Sequence, residues 1–244
     1  MSAGAGLAEV MRVRRHQPTR LEGFVDASFA FAVTLVVISI GRVPDDVPQM
    51  LQALRGVPTF AACFALIART WKSHRDWSRY YDLEDGTTIV LSLLLVFLVL
   101  IYVYPLHLLF TLMFAALSGG WLMEREVDVR TVFELRAAYI VFGVGYAAIW
   151  LVQTALNRHA YRLRDAIGLD AAEQASTRMR FRITLSFCLI ALLSATLAAL
   201  LPFEQWPSAT SLPGSAYLLM IPAAAVLRRR CRRDIAALPP VSVQ

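Results

Sequence analysis

Residues 20–40 read RLEGFVDASFAFAVTLVVISI, and the reading of this stretch decides the fold. From Phe24 onward it is almost continuously apolar, just long enough with its flanks to cross a bilayer. It nevertheless carries Asp26 in its first turns and Arg20 just ahead of them. An ionisable group in a membrane helix is costly unless it faces protein or water and has a partner. Asp26 is therefore expected to face inward, against a basic or hydrogen-bonding neighbour. Arg20 lies six residues away, on a different side of a straight helix, so it cannot simply pair with Asp26 as a helical neighbour. Candidates on a second helix are Trp71, whose indole N–H donates one hydrogen bond, and His74, three residues later on the same face.

The same pattern recurs outward along the chain. Of the 244 residues 57% are hydrophobic, and the mean hydropathy is +0.54, the composition of a polytopic membrane protein. Six spans are expected, starting with 21–40, closed by Gly41 and Pro44, and a second over 58–74. A third covers 87–117, where Pro105 is expected to kink or end the regular helix. The fourth to sixth cover 132–156, 183–201 and 212–227, the last shortened by Pro213 and Pro222. Residues 75–86 read as a charged connection and 1–19 as a mobile, basic arm. The organisation is one membrane domain, residues 20–230, between the cytoplasmic arm 1–19 and a basic cytoplasmic tail, 231–244.

Charge supplies the orientation. The net charge is +6, and the basic residues gather at the ends of apolar runs. With the N-terminus inside, 19 of the 24 Lys and Arg residues fall in the inward segments, around 12–20, 69–79, 158–182 and 228–233. The outward segments keep Arg42, Arg55, Arg125, Arg130 and Arg136. This asymmetry implies an even number of spans with both termini cytoplasmic. Charge confined in this way argues against nucleic-acid binding. The N-terminus lacks the apolar core of a cleavable signal peptide ahead of its arginines. Cys63, Cys188 and Cys231 have neither disulfide-framework nor metal spacing, and no metal or cofactor is expected.

On the first helix Phe31, Leu35 and Ile38 are spaced to stack along one side. The small residues Ala27, Ala30 and Thr34 lie nearby and would let another backbone approach. Ordinary packing or lipid contact accounts equally well for such spacings when they stand alone.

Two motifs add a resemblance. Arg20-x-x-x-Phe24-Val25-Asp26, followed by AFAVTLVV, resembles the RxxxFSD signature of the TMEM175 family of lysosomal and prokaryotic potassium channels. Trp71-Lys72-Ser73-His74-Arg75 is similar to the W-x-x-H ending of that family's second helix, and the long aliphatic run before Pro105 to its third. The resemblance implies an all-α, six-span homotetrameric cation channel of the bacterial inner (plasma) membrane, with K⁺ and membrane lipids as its partners. It implies that the first helix lines the pore, with Phe31 at a hydrophobic constriction, Thr34 as a pore-proximal hydroxyl, and Leu35 and Ile38 as further pore-facing positions. Arg20, Phe24, Asp26, Trp71 and His74 would then form a structural network. The family lacks a TVGYG filter, and this sequence has none. Val25 stands where the family has serine, and Phe31 where it has isoleucine or leucine.

A secondary transporter is the main alternative, with Pro105, Gly143 and Gly145 as places where helices could break; a non-conducting scaffold of the same fold is another. A membrane enzyme is disfavoured, because His107 in the third span has no GxSxG, HExxH or paired aspartates beside it.

Overall fold

The structure, a computed structural model, describes residues 10–39, 45–122 and 131–238. The predicted stop at Gly41 and Pro44, the arginines Arg42, Arg125 and Arg130, and both chain ends lie outside them. The described residues form α1 (Arg20–Ser39), α2 (Val47–Leu54), α3 (Val57–Tyr81), α4 (Gly86–Ser118), α5 (Val132–Arg162), α6 (Ala171–Leu200), α7 (Leu212–Ser215) and α8 (Met220–Ala236). Five stretches are long and apolar enough to cross a membrane: α1, α4, α5, α6 and Ala209–Ala236. The pair α2 and α3, bent by 45° at their junction, passes the same test only when taken together, which makes up to six. The chain is an all-α, multi-pass membrane protein.

Side-chain caps fix where several helices start. The Thr19 hydroxyl accepts from the Glu22 amide at α1, Asp85 from Thr88 at α4, and Thr131 from Glu134 at α5. At α6, Asp170 and Glu173 cap each other's amides in a reciprocal box. Each cap satisfies an amide that the helix start leaves unpaired.

Several boundaries differ from expectation for identifiable reasons. The second span continues to Tyr81 rather than stopping at His74, because the charged segment is amphipathic. Trp77, Tyr80 and Tyr81 bury themselves in the core, while Lys72 and Asp76 pair across one turn at 3.0 Å. Helix α6 starts at Ala171 rather than 183 because the capping box nucleates it early. Helix α4 runs unbroken through Pro105. The sixth span is not one regular helix: 3₁₀ turns at Pro207–Ser211 and Ala216–Leu219 flank α7 before α8 begins. Helix α8 runs to Ala236, across the expected start of the tail at 231.

Helix α5 also passes straight through Gly143 and Gly145, where the transporter reading left room for a break. These glycines serve close packing. A Cβ on Gly145 would lie 2.5 Å from the Tyr102 ring, and one on Gly143 would lie 2.9 Å from Ala195 Cβ. Tyr102 is fixed there by donating its hydroxyl to the Phe142 carbonyl at 2.8 Å. This seam joins α4, α5 and α6 into the central packing unit against which α1 and α3 lie.

Residues 10–19 do not trail free of the bundle. Arg14 and Arg15 donate their amides to the Arg79 carbonyl, and Arg14 makes an ion pair with Glu173 at 2.7 Å. Arg15 pairs with Asp82 and Glu84, and Arg12 with Asp170 at 3.2 Å. The arm thereby ties the α3–α4 connection to the start of α6, immediately before the chain enters α1.

Candidate functional site: the exposed face of the first helix

Helix α1 carries two stripes, each spaced alternately three and four residues apart. Glu22, Val25, Phe29, Ala32 and Val36 are buried against α3 and α4. Phe24, Ala27, Phe31, Thr34 and Ile38 lie on another side and are exposed, Phe31 by 55% and Ile38 by 65%. The alternating spacing makes a continuous seam on a helix, so each stripe is one face rather than scattered positions. Leu35 falls between the two and packs half-buried on the core. Thr34 donates its hydroxyl to the Ala30 carbonyl at 3.1 Å, which leaves the oxygen's lone pairs facing outward with the stripe.

Asp26 is exposed, not inward-facing as expected. It sits one residue past Val25, about 100° around the helix from the buried stripe. Its partner is Trp71: the indole Nε1–H donates to Asp26 Oδ1 at 2.7 Å, tying α1 to α3. The Arg75 guanidinium lies 5.3 Å from the centre of the Trp71 ring and braces it by a cation–π contact. Arg20 is exposed and makes no hydrogen bond or ion pair among the described residues. Phe24 points outward, 54% exposed.

His74 makes its hydrogen bond to α4 rather than to Asp26. It is buried, and its Nε2 lies 2.9 Å from the Ser92 hydroxyl on α4. One residue earlier, Ser73 reaches Gln153 of α5 at 3.4 Å, and Gln153 donates in turn to the Thr70 carbonyl at 3.2 Å. The last turns of α3 therefore hold three helices at once: α1 through Trp71, α4 through His74 and α5 through Ser73 and Thr70. Of the expected group, Trp71 and His74 lie on α3, Asp26 reaches them from α1 through Trp71, and Arg20 stands apart.

The sequence reading missed the acid that α1 does bury. Glu22 is only 4% exposed, and Arg79 Nε approaches its Oε1 to 3.8 Å, an ion-pair distance without a hydrogen bond. The 3–4 spacing from Glu22 to Val36 was a signal that could have found it. Ser92 and Gln153 offered no comparable signal, because their roles depend on contacts 18 and 80 residues away along the chain. Among the described residues no three His, Cys, Asp or Glu side chains come together to hold a metal ion.

Comparison with known proteins connects this helix to a family. The family model described as the endosomal/lysosomal potassium channel TMEM175 matches residues 20–105, the segment holding α1 to α3 and most of α4. A protein of Marivirga tractuosa named "Potassium channel" is 32% identical over 229 residues, covering 92% of each chain. The crystal structure of the potassium channel MtTMEM175, a threonine-to-alanine variant bound to a Nanobody-MBP fusion protein, superimposes with a TM-score of 0.75. It is 30% identical, and the match covers 91% of this chain and 97% of that one.

Proposed function

The chain belongs to the TMEM175 family, and from that premise we propose that it is a potassium-permeable cation channel of the bacterial plasma membrane. Four copies assemble with their α1 helices around a central pore. The observation that carries this reading is the pair of stripes on α1. A helix packed on one side by its own chain and left with Phe24, Phe31 and Ile38 exposed has a second apolar seam to satisfy. Small residues at Ala27, Ala30 and Thr34 let neighbouring helices come close along it.

In this arrangement the Phe31 side chains form the narrowest ring, with Thr34 supplying a layer of hydroxyl oxygens next to it. Leu35 and Ile38 continue the apolar wall. An apolar neck of this kind loses its water readily and blocks ions without a charged gate. When the neck widens, the cation that sheds its hydration shell at least cost passes first, which favours K⁺ over Na⁺. Selectivity thus comes from side chains, with no carbonyl filter. Asp26 and Trp71 hold α1 at its tilt against α3 and do not bind the ion. Both termini are cytoplasmic in this reading, which the 19 basic residues of the inward segments support.

Flux from liposomes holding purified protein, under opposed K⁺ and Na⁺ gradients, tests the reading. Wild type is expected to pass K⁺ faster than Na⁺, and Phe31→Ala to pass both faster with less discrimination. An intact tetramer that carries no flux in either form would leave the fold as a non-conducting scaffold.

A further inference from the structure

Four arginines line two cavities along α6, one towards α5 and one towards α8, and none of them is paired among the described residues. Arg178 and Arg182 lie one turn apart on α6 and form a wall shared by two cavities. One cavity, of about 310 Å³, opens between that wall and Arg158 and Tyr161 of α5, with Phe181 on its floor. The other, of about 230 Å³, lies between α6 and α8 and brings in Arg230. Asp234 is the one acid lining either cavity.

Other arginines at this end are divided: some meet carboxylates, while Arg20, Arg228 and Arg229 meet none among the described residues. Arg12, Arg14 and Arg15 each meet a carboxylate within the described residues, as does Arg164. Arg158, Arg178, Arg182 and Arg230 make no ion pair or hydrogen bond among the described residues. Orientation in the membrane requires positive charge at this end of the bundle. It does not require four guanidinium groups to share two adjoining cavities and face a single acid.

The depth of the cavities indicates the ligand. Arg182 immediately precedes the apolar run that starts at Ile183, and Arg158 is one turn inside the end of α5. The charges therefore sit where polar headgroups give way to hydrocarbon, with the rings of Tyr161 and Phe181 beside them. A soluble anion has no use for that apolar floor, whereas a phospholipid does. We propose that this is a binding site for the phosphate headgroup of an anionic phospholipid in the adjoining leaflet. Arg178 and Arg182 grip the phosphate through charge-assisted hydrogen bonds, and Tyr161 and Phe181 cover the glycerol backbone. The site holds whether or not the chain conducts ions.

Native mass spectrometry of the full-length protein, titrated with diphosphatidylglycerol, tests the site. Each arginine at such a surface is worth about fivefold in affinity, so R178Q/R182Q should bind about 25-fold more weakly. R158Q, on a different helix, should lose about fivefold on its own, which keeps the test valid should the double variant fail to fold. R228Q/R229Q, equally basic but outside both cavities, should weaken binding clearly less than R178Q/R182Q. Phosphatidylcholine should bind all forms alike. Equal losses in R178Q/R182Q and R228Q/R229Q would overturn the proposal in favour of a diffuse basic surface. Inorganic phosphate displacing the lipid at similar concentration would overturn it in favour of a soluble-anion site. Unchanged binding in R158Q would overturn it outright.

Discussion

The hydrogen bond from Trp71 to Asp26 ties the candidate pore helix to α3, and its removal has a calculable cost. Trp71→Phe keeps an aromatic face for Arg75 but deletes the donor; Asp26→Ala deletes the acceptor. A hydrogen bond to an ionised group is worth about 1.5–3 kcal/mol. Asp26 is exposed and in part solvated, so the lower end applies, about 1–1.5 kcal/mol. Each single variant should be destabilised by about that amount, and the double variant by little more than either single. The assay is a double-mutant cycle by equilibrium unfolding of detergent-solubilised protein in dodecyl sulfate, followed by circular dichroism. The predicted coupling is about 1 kcal/mol. Effects that add to within about 0.3–0.5 kcal/mol would show that the two groups do not interact and would refute the reasoning.

Three further outcomes follow from the packing. Arg14→Ala leaves Glu173 buried without its cation and should cost about 3 kcal/mol, with much of the loss recovered in Arg14→Ala/Glu173→Gln; thermal unfolding of the pair checks this. Gly145→Val forces two methyl groups against the Tyr102 ring and should destabilise the bundle by about 1–3 kcal/mol in the same measurement, whereas Gly23→Ala, with open space around it, should not. Asp85 caps α4, and although burial raises its pKa, hydrogen bonds from Thr88 and His159 outweigh this and hold it below the ordinary value of 3.8. A carboxylate depressed on folding contributes stability above its unfolded pKa and loses it as pH falls through the folded value. Unfolding midpoints should therefore drop on acidification below about pH 4, and drop less in Asp85→Asn.

Much of this was legible in the chain because membrane helices must be long and apolar, and because arginine marks their ends. The spans follow from composition; on α1 Phe31 and Ile38 share an exposed stripe, but Leu35, expected with them, packs half-buried on the core. Trp71 was identifiable as a partner for Asp26 because few side chains at that depth can donate a hydrogen bond. The burial of Asp26 was misjudged, since the cost of an exposed charge was reckoned for a lone chain in lipid. A helix facing other copies or a water-filled path answers to a different constraint. Of the two candidates for Asp26 the sequence could not favour Trp71 over His74, because the His74 ring bonds Ser92, which carries no local signature. The docked arm escaped notice for the same reason: residues 10–16 look like any basic terminus until Glu173 and Asp82 are placed beside them.

In the proposed channel the exposed stripe of α1 lines the ion path and the opposite stripe does not. Cysteine accessibility reads this directly, because Cys63, Cys188 and Cys231 are all buried and contribute little background. In liposomes, a positively charged, water-soluble thiol reagent should block K⁺ flux through Ile38→Cys within the assay time and leave Ala32→Cys untouched. Block at position 32 with none at position 38 would contradict the account and move the ion path to another face of the bundle.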